Sequence, residues 1–178
     1  MADWFVALEC SRPAFVAGRD DTSTNRERLQ GFTSRLCERG MPLWRAVAGG
    51  DFTYDAGYRA MQTLLAKPTE APDAIFFAND IMALGRIDAL KREQQRASMH
   101  GLRTPSIVSF DGISMGGWAS YQLSTIAQPL EEMVAAAVRI VTDPPPDGQL
   151  VEAKLAGTMI ARSSARAPSP PYPQATVL

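Results

Sequence analysis

The sequence has few of the residues that usually bind metals or form disulfides. Its 178 residues include one histidine and two cysteines, Cys10 and Cys37, and the cysteines form no CxxC pair. This count argues against a disulfide framework and a metal site, and it is typical of a reducing compartment. We therefore expect a cytoplasmic protein with no metal and no cofactor.

Strongly basic segments and long apolar runs are also missing. The formal net charge is −1, and no run of Lys or Arg is longer than two residues. Nucleic-acid binding needs a concentrated basic face, so we do not expect this chain to bind DNA by itself. No stretch of about 18 apolar residues occurs, which argues against a membrane span. Asp3 and Glu9 in the apolar start argue against a secretory signal.

The common catalytic templates are absent as well. The sequence contains no GxSxG, P-loop, GxGxxG or HExxH motif, and its one histidine, His100, lies in a polar stretch. A triad is improbable without a second recognisable partner for that histidine. We therefore rank binding above catalysis and predict no catalytic residue.

Alternating strand and helix patterns fill most of the chain. A short amphipathic helix is predicted at 2–9, and apolar runs predict strands at 13–17, 43–48, 74–78 and 106–110. Longer helical patterns lie between the strands, at 24–39, 53–66 and 79–95. Thr24 and Glu27 have the spacing of a capping box. This rhythm predicts an α/β fold: a parallel sheet with helices on both faces, built from about four βα units.

The rhythm changes after Phe110. A Gly-rich loop covers 111–122, an extended segment follows at 124–128, and a helix with a continuous apolar stripe runs from Pro129 to Val141. One or two strands are predicted within 150–162. Four prolines after Ala165 predict a disordered tail.

Polar or aromatic side chains follow every strand of the predicted sheet. In an open parallel sheet, ligands bind at the carboxyl ends of the strands. A guanidinium, carboxylates, an amide and an aromatic ring suit a sugar, another polyol or a nucleobase. The side chains at these strand ends include Asp20, Thr22, Arg28, Phe52, Asn79 and Asp111.

Each of these residues also has a purely structural interpretation. Asn79 can cap the following helix, and Asp111 can form an Asx-turn at the Gly-rich loop. Arg28 can be a solvated helix residue, and Phe52 can close the core. Asp80 lies in a first helical turn, where the helix dipole alone favours a carboxylate, so we assign it to the helix start.

Six motifs together resemble the lactose/galactose-repressor (LacI/GalR) family of bacterial transcription regulators. The resemblance covers about residues 2–164, and the motifs occur in the family's order and approximate spacing. They are "NRERLQGF", "GGDFTYDAGYRAMQTLL", "PDAIFFANDIMALGRIDAL", "IVSFDGI", "STIAQPLEEMVAAAV" and "MIARSS".

The resemblance implies a two-lobed core like that of periplasmic sugar-binding proteins, with a small effector between the lobes. Carried over by motif, the family's effector contacts fall on Arg28, Phe52, Asn79 and Asp111. Asp20, Thr22 and Gln128 are further candidates for the same site. The implied ligand is a sugar or a nucleoside-like molecule. A periplasmic sugar-binding protein of an ABC transporter is the alternative.

The chain departs from the family pattern at its start. Neither the family's helix-turn-helix and hinge helix nor most of its first lobe is in the sequence, so operator DNA is expected to bind only through an N-terminal helix-turn-helix absent from this chain. We expect residues 1–12 to resemble the end of a first-lobe helix and 13–122 to form the effector-binding lobe. Residues 123–164 are expected to cross to the incomplete lobe and return, with 165–178 as the tail.

Two further expectations follow from the resemblance. The apolar stripe of the helix after Pro129 has to be buried by a partner chain, by a rearranged fold or by residues 2–9. The family's regulators pair largely through the lobe kept here, so we expect a homodimer. The candidate interface residues are Tyr58, Met61, Leu65, Met115 and Trp118; alternatively, Met61 and Leu65 are core and Trp118 covers a loop.

Overall fold

The computed structural model describes residues 1–48, 50–65, 71–95, 104–145, 149, 151–168 and 176–177. Every predicted strand and helix that falls within these residues is present, with ends that differ by at most two residues. The helices are α1 (Ala2–Ala7), α2 (Ser23–Glu38), α3 (Tyr54–Leu65), α4 (Asp80–Gln95) and α5 (Leu130–Thr142). The strands are β1 (Pro13–Val16), β2 (Arg45–Val47), β3 (Ala74–Phe77), β4 (Ser106–Asp111), β5 (Ser124–Ala127), β6 (Gly157–Ile160) and β7 (Thr176–Val177).

These strands form one sheet in the order β2-β1-β3-β4-β5-β6-β7. The first five are parallel, with Phe15 of β1 opposite Phe76 of β3. Strands β6 and β7 are antiparallel to their neighbours. The mostly parallel sheet confirms the predicted fold class. It also shows that β5 and β6 belong to the same sheet as β1–β4, with α5 between them in the sequence.

The core lies on both faces of this sheet because successive strand residues point to opposite sides. On one face, Phe15 and Phe76 meet edge to face at 5.4 Å and pack against α1 and α2. On the other face, Val16 and Phe77 pack against α3 and α4. The prediction of helices on both faces is confirmed.

The predicted capping box at the start of α2 is wrong. The helix begins at Ser23 with Thr22 as its N-cap, and the Thr22 Oγ1 accepts a hydrogen bond from the Asn25 N–H at 3.3 Å. Thr24 therefore lies inside the first turn. The cause is a shift of one residue in the predicted helix start, which moves the cap to a different hydroxyl.

Helix α1 is part of the same packed unit as α2. Phe5 is fully buried and meets Phe32 edge-on at 5.5 Å, and Asp3 pairs with Arg35 and Arg39 at 3.0 and 2.7 Å. In contrast, α5 has no buried residue. Residues 2–9 therefore do not cover the apolar stripe of α5, and that expected way of burying the stripe is excluded.

Some described residues of the predicted tail lie against the sheet. Ala165 is buried, the Arg166 N–H donates to the Ser106 Oγ at 3.2 Å, and Thr176–Val177 pairs with β6. The prolines indicated disorder, but Ser164 bonds to Ile107 through both its carbonyl and its hydroxyl, which anchors the segment to β4.

None of the described helices combines the length and apolar composition that a bilayer crossing requires.

Candidate functional site

Arg28 of α2 lies across the carboxyl edge of the sheet. Its Nη1 donates to the Ala78 carbonyl after β3, and its Nη2 donates to the Asp111 Oδ1 at 3.1 Å. The guanidinium carbon lies 4.0 Å from the centre of the Phe110 ring. Burial lowers the pKa of Arg28, and the nearby Asp111 carboxylate opposes that shift. The group stays charged because arginine titrates far above neutral pH.

Asp111 is the junction between Arg28 and Gln128. Its Oδ1 accepts a second hydrogen bond from the Gln128 Nε2 at 2.7 Å, and its carbonyl accepts from the Gln128 N–H at 3.3 Å. Within the described residues no hydrogen bond reaches the Oδ2. The φ of Asp111 is 133°, a conformation that side-chain-bearing residues rarely adopt. The arrangement leaves one carboxylate oxygen to accept from a hydroxyl or N–H of a ligand.

Phe52 contributes the aromatic face of this edge. Its φ is 63°, and its ring lies so close to Gly18 that a Cβ there would be 2.2 Å from ring carbons. Residue 18 must therefore remain glycine for the ring to take this place. Phe52 is partly buried and packs against the cores on both faces of the sheet. It therefore has a structural role, and part of its ring remains accessible to a ligand.

Asn79 has two structural hydrogen bonds. Its Oδ1 accepts from the Met82 N–H at 3.0 Å, which is the predicted helix cap. Its Nδ2 donates to the Phe52 carbonyl at 3.1 Å, and the residue is 8% exposed. One N–H group of the Asn79 amide therefore supports Phe52.

Asp20 and Thr22, the two further candidates after β1, do not take part in the hydrogen bonds around Asp111. Thr22 accepts from the Asn25 N–H as a cap and donates to the Arg19 carbonyl at 2.9 Å. Asp20 is exposed. The structure therefore joins Arg28, Asp111 and Gln128 directly, links Asn79 to Phe52, and leaves Asp20 and Thr22 outside these hydrogen bonds.

Asp80 is the residue whose role the sequence reasoning missed. It is fully buried, and its carboxylate accepts hydrogen bonds from the Ser109 hydroxyl, the Thr125 hydroxyl at 2.6 Å and the Ile113 N–H at 2.8 Å. Burial raises the pKa of this carboxyl. Asp80 is the first residue of α4, as predicted, but its hydrogen bonds to β4, β5 and the loop after β4 were not predicted. The sequence did contain a signal for these bonds. Ser109 and Thr125 lie at buried positions of β4 and β5, and buried hydroxyl groups need hydrogen-bond partners.

The candidate interface residues differ in accessibility. Trp118 is 57% exposed, and Tyr58 and Met115 are half-buried. Met61 is 2% exposed and packs with Ala89 and Leu90 between α3 and α4, so within this chain it is a core residue. The side chain of Leu65 lies outside the described residues. Among the side chains that the structure describes, no three His, Cys, Asp or Glu form a group that could hold a metal.

A family description, "Periplasmic binding protein-like domain", matches residues 2–165. The chain belongs to this family, in the form found in LacI/GalR regulators. Its LacI/GalR relatives include the repressor CytR of Escherichia coli, 36% identical over 132 residues that make up 72% of this chain and 36% of CytR. The regulator CelR of Thermobifida fusca is 35% identical over 136 residues, or 74% of this chain and 38% of CelR.

Solved structures of LacI/GalR proteins have the same fold. A LacI transcriptional regulator from a Rhodococcus species matches 92% of this chain and 58% of its own with a TM-score of 0.76 and 26% identity. A dimeric Lac repressor with a C-terminal deletion matches 94% of this chain and 60% of its own with a TM-score of 0.78 and 23% identity. The chain thus spans between a third and two fifths of the curated relatives named above. Those relatives are named as transcriptional regulators and not as enzymes.

Proposed function

We propose that this chain is the effector-sensing part of a LacI-type transcription regulator. Its ligand is a small polyhydroxylated molecule, a sugar or a nucleoside, bound at the carboxyl edge of the sheet. The observation that carries the proposal is the Arg28–Asp111–Gln128 cluster, in which a partly buried guanidinium and an amide share one carboxylate oxygen. Such a cluster presents both acceptors and donors to vicinal hydroxyls.

Each residue of the edge has a separate task in this proposal. The free oxygen of Asp111 accepts from a ligand hydroxyl, and unused N–H groups of Arg28 and Gln128 donate to ligand oxygens. The ring of Phe52 stacks on an apolar sugar face or a base. Asn79 holds Phe52 in place through the 3.1 Å bond to its carbonyl.

Regulation then follows from a population shift. A ligand that contacts two lobes favours one orientation of the lobes by its difference in affinity for the two orientations. In a dimer, the favoured orientation of the lobes changes the relative position of the DNA-binding domains. In the family these domains lie N-terminal to the core. We propose that operator DNA is bound through such a helix-turn-helix and not through residues 1–178, and that the protein acts in the cytoplasm. The named relatives are regulators, which argues against the transporter alternative.

A thermal-shift screen of pentoses, hexoses, nucleosides and purines tests the proposed ligand class. We expect at least one compound to raise the melting temperature of the chain, since a ligand that binds only the folded state stabilises it. Asp111→Asn removes the charge at the centre of the cluster and should weaken that response by about tenfold in ligand concentration.

The matched control for that variant is Asp3→Asn. Asp3 is also paired with arginines but lies on α1, away from the carboxyl edge. It should lower the melting temperature without changing the ligand concentration needed. A screen without any stabilising compound, or an equal response in Asp111→Asn and wild type, contradicts the proposed site.

We also propose a homodimer in which Trp118 and Tyr58 contact the partner. A 57% exposed tryptophan is an unusual surface residue, and aromatic side chains are enriched in the buried centres of interfaces. Trp118→Arg should convert the dimer to a monomer at micromolar concentration in sedimentation experiments. Val151→Arg, which changes another exposed apolar residue, is the control; a monomeric wild type refutes the proposal.

A further inference from the structure

Asp80 is a fully buried carboxylate that is stabilised by three hydrogen bonds. Its three hydrogen-bond donors are all distant from Asp80 in the sequence. They are the Ser109 hydroxyl in β4, the Thr125 hydroxyl in β5 and the Ile113 N–H in the loop after β4. A buried carboxylate is unfavourable unless such donors surround it. The three bonds therefore tie the first residue of α4 to two neighbouring strands and to one loop.

Asp111 lies inside the frame that these bonds form. Ser109 precedes it by two residues and Ile113 follows it by two, so Asp80 holds the chain on both sides of Asp111. Thr125 adds a third fixed point, because its Oγ1 also accepts from the Gly112 N–H at 3.3 Å. The backbone between Ser109 and Ile113 thus has little freedom to rotate.

The conformation at this place needs such a restraint. Asp111 has a φ of 133° and Gly112 a φ of 78°, and a non-glycine residue in such a region is held there only when its surroundings over-determine it. The strained backbone directs the Asp111 carboxylate to Arg28 and Gln128. Without the frame, we expect the backbone to relax and the carboxylate to leave that position.

We propose that Asp80 is a positioning residue for the ligand site: it sets the place of the Asp111 carboxylate through Ser109, Ile113 and Thr125 without touching the ligand. The inference rests on the proposed function, because it assigns Asp80 to the same effector site. It also explains why an acid occupies a fully buried position.

The donors predict which substitutions Asp80 tolerates. The Ile113 N–H can only donate, so it needs an oxygen at position 80. The hydroxyls of Ser109 and Thr125 can rotate and accept instead. Asp80→Asn keeps one oxygen for Ile113 and offers two N–H groups to the hydroxyls, so it should preserve the frame. Asp80→Ala leaves the Ile113 N–H without its acceptor and should release the frame.

The test uses the whole chain without any ligand and follows backbone amides and the Arg28 guanidinium by NMR. In Asp80→Ala, we expect hydrogen exchange of the Ile113 amide to be at least about tenfold faster, and the Gly112 amide and Arg28 guanidinium resonances to move. Asp80→Asn should restore both resonances close to their wild-type positions. The matched control is Asp88→Ala, on the same helix, which removes a carboxylate that accepts from the Tyr54 and Tyr121 hydroxyls at 2.8 and 3.0 Å.

The outcomes separate positioning from general stability. If Asp80 only stabilises the fold, Asp88→Ala and Asp80→Ala disturb the Arg28 resonance equally, and the inference is wrong. An unchanged Arg28 resonance in folded Asp80→Ala also overturns it. If Asp80→Ala does not fold, Thr125→Val replaces it: this variant removes one donor of the frame and should move the Arg28 resonance, and no movement refutes the inference.

Failure of the inference is distinguishable from failure of the proposed function. The resonances are measured in the unliganded chain, so they report the position of Asp111 whether or not a sugar or nucleoside binds. A chain that shows the expected resonance changes but responds to no compound in the thermal-shift screen retains the positioning role and loses the proposed ligand class.

Discussion

Arg86 is a charged residue that is buried with few hydrogen-bond partners. It is a fully buried residue of α4, and its Nη1 lies 2.9 Å from the sulfur of Met61 in α3. Its Nε and Nη2 have no hydrogen-bond partner in the described structure. Burial lowers its pKa to about 10, which leaves the group charged at neutral pH. A buried charge without a counter-ion reduces the stability of the fold.

We predict that Arg86→Met increases the free energy of unfolding by about 1–4 kcal/mol, because a flexible apolar side chain fills the same space without an unpaired charge. Urea denaturation followed by circular dichroism measures the change. Arg59→Met alters an arginine that is 61% exposed and should stay within about 0.5 kcal/mol of wild type. A destabilised Arg86→Met would show that the guanidinium has a partner in the folded protein.

At the scale of elements, the contact between α3 and α4 depends on two glycines. A Cβ at Gly57 would lie 1.8 Å from the Met82 carbonyl oxygen, and a Cβ at Gly85 would lie 2.1 Å from that of Tyr54. Both distances are far below van der Waals contact, so the helices approach as closely as glycine allows. This close approach brings α4 into the position from which Asp80 reaches β4 and β5.

We therefore predict opposite effects for two glycine-to-alanine substitutions. Gly57→Ala forces α3 and α4 apart and should lower the free energy of unfolding by about 1–3 kcal/mol. Gly31→Ala, in the exposed part of α2, meets no atom within 4 Å and should raise it by about 0.5–1 kcal/mol through helix propensity. Both values come from urea denaturation, and equal effects would contradict the close packing of α3 on α4.

At the scale of the whole molecule, α5 stands apart from the core. Its apolar side chains form the predicted stripe, yet Leu130 and Val134 are each 63% exposed and Val141 is 79% exposed. Among the described residues, the core clusters on the two faces of the sheet contain no residue of α5. The unfolding of residues 1–128 should therefore be insensitive to changes on the α5 stripe.

Val138→Glu tests this separation. Val138 is 54% exposed, so we expect the free energy of unfolding to change by no more than about 0.5 kcal/mol. Leu64→Ala, which truncates a side chain buried under the sheet, should cost about 2–5 kcal/mol in the same assay. A large loss in Val138→Glu would show that the α5 stripe is buried in solution.

The order and type of the elements follow from the sequence by local rules. Apolar runs of four to six residues gave β1, β3 and β4, and helical spacing gave α2, α3 and α4, because burial on a sheet or helix face imposes a short period. The placement of Arg28, Phe52, Asn79 and Asp111 at strand ends was equally local. Cap positions were less predictable, because a shift of one residue in the helix start changes which hydroxyl caps the helix. In α2 the cap is Thr22 and not Thr24.

By itself, then, the sequence determined a parallel α/β sheet and the side chains that line its carboxyl edge. Only the tertiary structure decided how those side chains pair. Asp80 bonds to Ser109 and Thr125, 29 and 45 residues away, and Arg28 bonds to Asp111 across 83 residues. Periodicity carries no information about such partners, because hydrogen bonds between distant residues depend on how neighbouring strands are placed in the folded sheet.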